Sequence, residues 1–419
     1  MLSDDSVTPA DEAKLGQFLT SRGFVPNPAA DTDAYYNNTC THIPSGSTQP
    51  VTTCSPTSNS IRKQLGTLSQ FKSRYGMASS ETGTPASGEY VAKYYNRGDL
   101  GIGRNMHCKI KSSTNETACY VKNYSSDPVK TFGGSAATAF LNLDANKAFA
   151  TVAMVSRGGM ASTARNKVIF MVYDAAGKLT YTAPLDRHAL GNLGIEGKDF
   201  NKHIPGNCMV CHGAGGRYFN QTTPPSLRGT DGAMFLPFDL DSFEYHPTKS
   251  SLSRAKQEGA FKNLNTKIVQ KVANEYGPDK AGAIINNING WYANGASKTF
   301  ISSYVPPGWT SRDPTGALFG DKHFFQKVLR SYCRTCHQTF SLNENENRSF
   351  ETWENFATFN PSLVQEVVCP TNAGVDTPSM PQAEQTSRIF WQSDARGIFA
   401  GYLSTVEGDV RECLPGPDR

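Results

Sequence analysis

The sequence has no long hydrophobic run: nowhere do about 18 apolar residues follow one another, so no transmembrane helix is predicted. An excess of charge of one sign is missing too, because the formal net charge is only +4. Composition therefore gives no argument for a nucleic-acid partner or a membrane surface. The first residues have neither the basic start nor the apolar stretch of a secretory signal peptide. With 38% hydrophobic residues, the 419-residue chain is still long enough to bury a large core.

Two motifs of the form C-x-x-C-H are present, Cys208–His212 and Cys333–His337. This is the spacing of c-type haem attachment. Two thiols three residues apart reach the two vinyl groups of one haem, and the next histidine lies under the iron as its proximal ligand. The sequence therefore predicts two haem c groups, with iron ligated by His212 and His337. The attaching cysteines are Cys208, Cys211, Cys333 and Cys336.

A zinc site is the other interpretation of paired C-x-x-C units. Such pairs typically lie about 15–20 residues apart. Here 121 residues lie between Cys211 and Cys333, and each pair carries its own histidine. The spacing therefore favours haem over zinc or a plain redox dithiol.

The remaining cysteines agree with an exported protein. An even number is left after the four haem cysteines, which is consistent with disulfides formed in an oxidising compartment, although several connectivities are possible. The simplest pairing joins neighbours in the sequence: Cys40–Cys54, Cys108–Cys119 and Cys369–Cys413. Because covalent haem attachment takes place outside the bacterial cytoplasm, we expect a mature or truncated chain that is periplasmic or extracellular.

The second motif lies in a segment, residues 319–403, that resembles class I cytochromes c. The resemblance depends on Cys333–His337 and on a downstream Met–Pro loop at Met380, 43 residues after His337. It implies that Met380 is the sixth ligand of this iron. A thioether is a soft ligand that favours Fe(II) and raises the potential. The alternative for Met380 is an ordinary packing role.

The first motif shows the same resemblance in Cys211–Gly216 and in the loop Pro224–Gly229. It implies that a carbonyl of Pro224 or Pro225 accepts a hydrogen bond from His212. For the sixth ligand we favour His107, since imidazole is a strong haem ligand and the expected Cys108–Cys119 bridge would hold it rigidly. The alternatives are an open coordination position, His188, His203, His246, or Met234, which is the better candidate for the core.

Four regions are expected along the chain: a helical and loop segment at 1–85, a β-rich domain at 86–190, a first haem module at 191–310 and a second at 311–419. Helical spacing marks 61–75, 252–276, 279–292 and 321–336, whereas 118–124, 148–155 and 167–174 read as strands. The predicted fold class is α+β. A helical and β-rich N-terminal region would be followed by mainly α-helical, cytochrome c-like modules with long loops.

Two haems in one chain predict an electron-transfer protein that serves redox partner proteins. The runner-up is a diheme peroxidase-like oxidoreductase with an open first haem. It would need acid–base groups near that haem, for which Glu196, Arg217 and His203 are candidates. A subunit of an extracellular cytochrome polymer is the third possibility, but two haems in 419 residues are sparse for continuous conduction.

Overall fold

A computed structural model describes residues 28–41, 57–81, 83–97, 100–126, 135–158, 160, 166–181, 204–213, 230, 232–310, 320–340, 349–358, 386, 389–390 and 392–407. Its centre is a six-stranded antiparallel sheet in the order β5-β4-β3-β2-β1-β6. The strands are β1 (Glu89–Asn96), β2 (Ile102–Lys111), β3 (Glu116–Tyr124), β4 (Ala148–Ser156), β5 (Val168–Asp174) and β6 (Phe243–Glu244).

Helices cover the sheet and form the C-terminal part. They are α1 (Pro28–Asn38), α2 (Ile61–Gln64), α3 (Leu68–Tyr75), α4 (Ala136–Asp144), α5 (Gly206–His212), α6 (Arg254–Asn263), α7 (Gln270–Tyr276), α8 (Pro278–Trp291), α9 (Pro307–Thr310), α10 (Asp321–Phe324), α11 (Arg334–His337), α12 (Trp353–Thr358) and α13 (Ala395–Glu407). Two π-helical segments make longer continuous helices: Leu264–Val269 joins α6 to α7, and Phe325–Cys333 joins α10 to α11. Short 3-10 turns are Leu240–Ser242, Ser250–Leu252 and Ala293–Gly295.

Residues 61–75 show why one predicted helix becomes two. The Thr67 side chain accepts a hydrogen bond from the Gln70 backbone, and the Gln70 side chain accepts one from the Thr67 backbone. This capping box starts a new helix at Leu68 and so separates α3 from α2. Gly76, with φ of +61°, ends α3 in the left-handed conformation that glycine adopts without strain.

The two faces of the sheet carry different neighbours. Directly paired residues of an antiparallel sheet point to the same side, and consecutive residues point to opposite sides. One row of paired residues is Phe170, Met154, Cys119, Cys108 and Tyr90, and the adjacent row is Met171, Ala153, Tyr120, His107 and Val91. We call these sides the α5 face and the α3 face, after the helices that pack there.

Aromatic side chains join each face to its helices. On the α5 face, the rings of Phe170 and His212 are 5.6 Å apart, and those of Tyr94 and Phe261 are 5.3 Å apart. On the α3 face, Phe71 lies edge-on to Tyr120 at 6.2 Å. Each face is therefore buried by aromatic contacts, which contribute about 0.5–1.5 kcal/mol per pair beyond area burial.

The predicted fold class is wrong: the chain is not built from mainly α-helical, cytochrome c-like modules. The helix of the first motif, α5, has only seven residues and packs on the sheet. Strand β6, from the region predicted as the first haem module, pairs with β1 and completes the sheet. One core runs from Tyr35 through the strands to Phe300. A helix this short cannot bury its own apolar surface, so the sheet provides the partner surface.

A second, smaller core lies in the helical C-terminal part. It is formed by side chains between Val305 and Tyr402, with Trp309 and Phe324 fully buried at its centre. The Trp309 indole donates to the Phe350 carbonyl at 3.0 Å. None of the helices in the described ranges has both the length and the apolar character needed to cross a bilayer.

The structure tests the three predicted disulfides only in part. The Cys108–Cys119 bridge is confirmed and joins directly paired residues of β2 and β3. Cys40 is also disulfide-bonded, to a partner outside the described residues. Cys54, Cys369 and Cys413 lie outside the described residues as well.

Candidate haem attachment sites

The first motif forms α5, a short helix held at both ends by its own backbone. The backbone amides of Cys208 and Met209 donate to the Pro205 carbonyl at 2.9 and 3.0 Å, and Gly213 closes the helix by donating to the Met209 carbonyl at 2.8 Å. A Cβ atom at Gly213 would lie 2.2 Å from Cε of Met209, which is fully buried. That atom is the end of a flexible side chain, but the Met209 carbonyl oxygen would lie only 3.0 Å from the same Cβ, so close packing favours glycine after the motif.

Replacing Gly213 with alanine is expected to cost about 1–3 kcal/mol, the usual penalty for adding a methyl group to a filled core. The matched control is Gly259→Ala, because a Cβ at Gly259 in α6 meets nothing within 4 Å. That variant should gain about 0.5–1 kcal/mol from helix propensity. Denaturant unfolding of the two variants measures the difference, and equal effects would contradict the packing at Gly213.

His212 is oriented by a two-way backbone contact with Met234. Its Nδ1 donates to the Met234 carbonyl at 2.8 Å, and the Met234 amide donates to the His212 carbonyl at 2.7 Å. With the proton on Nδ1, Nε2 keeps the lone pair that binds a metal. Burial lowers the pKa of His212 to about 4, although the bond to Met234 opposes this shift. The imidazole is therefore neutral at physiological pH.

The orienting carbonyl was not predictable from the sequence. We expected it from Pro224 or Pro225, and both lie outside the described residues. Met234 is buried in the core, as the sequence indicated, and it is its backbone carbonyl that holds His212. No composition or spacing signal marks a main-chain carbonyl 22 residues downstream, since every residue carries one.

The second motif ends a continuous helix that begins at Asp321. The His337 ring stacks on Phe350, with centroids 4.2 Å apart and planes 16° apart, and it lies 5.4 Å from Phe340. Aromatic rings therefore fix the direction of this imidazole. Met380, its predicted axial partner, lies outside the described residues and stays a prediction.

Arg334, inside the second motif, attaches that motif to the rest of the protein. Its side chain is 3% exposed, and its guanidinium forms an ion pair with the buried carboxylate of Asp239. The guanidinium also lies 5.0 Å from the Trp291 ring and 5.7 Å from the Phe325 ring. No sequence pattern indicates this role, because the x positions of C-x-x-C-H carry no required chemistry.

The two motifs are in direct contact, although they are far apart in the sequence. The Sγ atoms of Cys211 and Cys336 are 3.1 Å apart. The Thr339 hydroxyl donates to the Cys211 carbonyl at 3.1 Å. The second cysteines of both motifs therefore meet where α5 packs against α11.

The protonation of the buried thiols bears on the choice between haem and zinc. Desolvation raises the pKa of Cys208 and of Cys333 to about 12, whereas zinc binds the deprotonated thiolate. Among the residues that the structure describes, no three His, Cys, Asp or Glu side chains come together to hold a metal ion. Two cysteines and a histidine on one short helix fit a haem c, because a thioether needs no thiolate in the folded protein.

His107 is not brought to the first motif. It lies on the α3 face of the sheet, opposite the face that His212 contacts. Its Nδ1 is 2.7 Å from Glu89 Oε1, its Nε2 is 3.1 Å from Glu81 Oε2, and its ring stacks on Tyr120 at 4.6 Å. The prediction of His107 as a sixth ligand is therefore not carried forward, since the sheet lies between the two imidazoles.

The other sixth-ligand alternatives gain no support. His246 Nδ1 accepts hydrogen bonds from the Thr248 and Lys249 amides at 3.2 and 3.0 Å. Outside the described residues lie His188, His203, Glu196 and Arg217. The acid–base groups proposed for a peroxidase-like site are therefore not placed by the structure.

Comparison with protein-family models, with curated proteins and with solved structures gives no match. The functional interpretation consequently depends on the residues themselves.

Proposed function

We propose that this chain is an exported diheme c-type cytochrome that carries electrons between redox partner proteins. The contact between Cys211 and Cys336 is the observation that carries the proposal. If the two motifs belonged to independent structural units, their haem-attaching sulfurs would not be expected to be in contact. A relay, in contrast, needs its two centres close together.

Each motif supplies the groups that a covalent haem needs. Cys208 and Cys211 would hold the first haem and Cys333 and Cys336 the second, while His212 and His337 offer the axial nitrogens. A bound haem supplies a one-electron Fe(III)/Fe(II) couple. The Met234 carbonyl keeps Nε2 of His212 free of its proton and strengthens it as a donor.

The protein around the motifs would hold the two haem centres in fixed positions beside apolar side chains. Phe170 lies against His212, and Phe350 and Phe340 lie against His337. These rings place apolar surface beside each imidazole, which limits how much solvent has to reorganise when the charge of a nearby centre changes. Arg334 and Asp239 fix the second motif on the body that carries the first, which keeps the separation of the centres constant.

The proposal predicts two haem additions in the denatured mass of the protein as isolated. The double variant Cys208→Ala/Cys211→Ala should lose one addition, and Cys333→Ala/Cys336→Ala should lose the other, because the thioether bonds can form only at these sulfurs. The control is Cys108→Ala/Cys119→Ala, which removes the disulfide of the sheet and should keep both additions. A wild-type mass without haem would contradict the proposed function.

A further inference from the structure

Glu351 is a buried carboxyl group beside the second motif that the proposed function does not use. The residue is 6% exposed. Its Oε1 atom has no hydrogen-bond partner among the described residues, and its Oε2 atom is 3.5 Å from Nδ2 of Asn287, at the outer limit of a hydrogen bond. A carboxylate in this position would be poorly solvated, so the neutral acid is favoured.

The charged and titratable groups facing Glu351 do not offset its burial. The guanidinium of Arg334 is the nearby positive charge, and it is already paired with Asp239. Tyr304 faces Glu351 from the loop before α9, and burial together with Glu351 raises the pKa of that phenol to about 12. The other neighbours are neutral amides, Asn286 and Asn287.

Burial raises the pKa of Glu351 to about 8, against a smaller opposing effect of Arg334. The group therefore carries its proton at pH 7 and loses it slightly above. A change of charge nearby can therefore shift Glu351 between its protonated and deprotonated forms.

Two short connections join Glu351 to the second motif. Phe350, its neighbour in the chain, stacks on His337 at 4.2 Å. The Asn287 amide lies 3.5 Å from Glu351 and 3.5 Å from Gln338, the residue after His337. A charge added at this motif acts on Glu351 through protein rather than through water, where electrostatic interactions are several times weaker.

We propose that Glu351 is a proton-binding site coupled to the second haem attachment site. In alkaline solution, where the oxidised protein holds Glu351 as the carboxylate, reduction of Fe(III) to Fe(II) there by an external one-electron donor would be accompanied by uptake of one proton from water, which converts Glu351 to the acid. Oxidation returns the electron to an acceptor and the proton to water. The inference rests on the proposed function, and it adds that electron transfer at one of the two sites is linked to proton transfer.

Spectroelectrochemical titration of the whole haem-loaded protein from pH 6 to 10 tests this coupling. One of the two potentials should be flat up to about pH 8 and then fall by up to about 59 mV per pH unit, the value for one proton per electron. Glu351→Gln keeps the shape of the side chain but does not titrate, so this slope should vanish. The matched control is Glu354→Gln on α12, three residues away and exposed, which should keep the slope.

Infrared difference spectra of the reduced and oxidised protein at pH 9 give a second readout. A protonated-carboxyl C=O band should appear on reduction in the wild type and in Glu354→Gln, and it should be absent in Glu351→Gln. A haem-loaded protein whose potentials and carboxyl bands are the same with and without Glu351 would overturn the coupling and leave the electron-transfer proposal standing. A protein that carries no haem would overturn the proposed function itself.

Discussion

Replacing Asp239 with alanine is expected to lower the free energy of unfolding by about 3–5 kcal/mol, among the larger effects of a single substitution in this chain. The change leaves the guanidinium of Arg334 buried without its counter-charge. Asn287 cannot compensate, because its Oδ1 is 3.5 Å from the guanidinium and carries no net charge. Denaturant unfolding of both proteins at pH 7 measures the loss.

The control for this prediction is an ion pair at the surface. Asp144 pairs with Lys249 at 2.7 Å, and both side chains are more than one-third exposed. Asp144→Ala should therefore cost only about 0–1 kcal/mol. The double change Arg334→Met with Asp239→Leu removes both buried charges and should recover most of the loss. If Asp239→Ala is no worse than Asp144→Ala, Arg334 is not buried as described.

The substitution Glu81→Gln is expected to lower stability by about 3 kcal/mol at pH 7. Burial alone would raise the pKa of Glu81, but hydrogen bonds from His107 and Lys72 outweigh it and lower this pKa to about 2. The folded protein therefore favours the carboxylate, and each tenfold decrease in its proton affinity corresponds to about 1.4 kcal/mol of stability. The Tyr120 hydroxyl also donates to Glu81 at 3.1 Å.

The sign of the pH dependence follows from the lowered pKa of Glu81. Its stabilisation is fully present above about pH 4.5 and is lost as the pH falls towards 2, because the unfolded chain binds the proton first. Wild type and Glu81→Gln should therefore converge in stability at low pH, which urea unfolding across this range can follow. The control is Glu244→Gln, since Glu244 pairs with Arg97 only at an exposed position, 3.6 Å away. If the stabilities of wild type and Glu81→Gln stay the same distance apart over this pH range, the lowered pKa of Glu81 is contradicted.

The features predicted correctly from the sequence are those that depend on neighbours in the chain. The strands at 118–124 and 148–155 follow from local β-branched and apolar runs, and their observed bounds differ by at most two residues. The Cys108–Cys119 bridge was predictable because the two cysteines stand 11 residues apart, the separation of partners in a short hairpin. The haem motifs are local as well, since all their chemistry lies within five consecutive residues, and haem attachment at them stays a prediction.

The features that the sequence could not provide depend on partners far apart in the chain. His107 looked like a ligand because it stands beside a disulfide cysteine. Alternation along β2, however, sends Cys108 to the α5 face and His107 to the α3 face. Its carboxylate partners, Glu81 and Glu89, come from a loop and from the start of β1, and nothing local in the sequence pairs them with it.

The prediction of a fold built from cytochrome c-like modules was wrong for the same reason. Resemblance in a few residues around His212 and His337 predicts which atoms would bind iron, but it does not predict what packs behind them. Behind α5 lies a sheet face with Phe170, and behind α11 lies Asp239, the partner of Arg334. Both supports come from residues that are more than 30 positions from the motif they serve.

The contact between Cys211 and Cys336 also has a consequence for biogenesis. In the folded chain these sulfurs face each other at 3.1 Å, and the Thr339 hydroxyl holds the two segments together. A maturation enzyme needs access to each thiol pair and to the vinyl groups of the incoming porphyrin. On the proposed function, thioether formation would precede the docking of α11 on α5, and the chain would complete its folding around porphyrins that it received while still open.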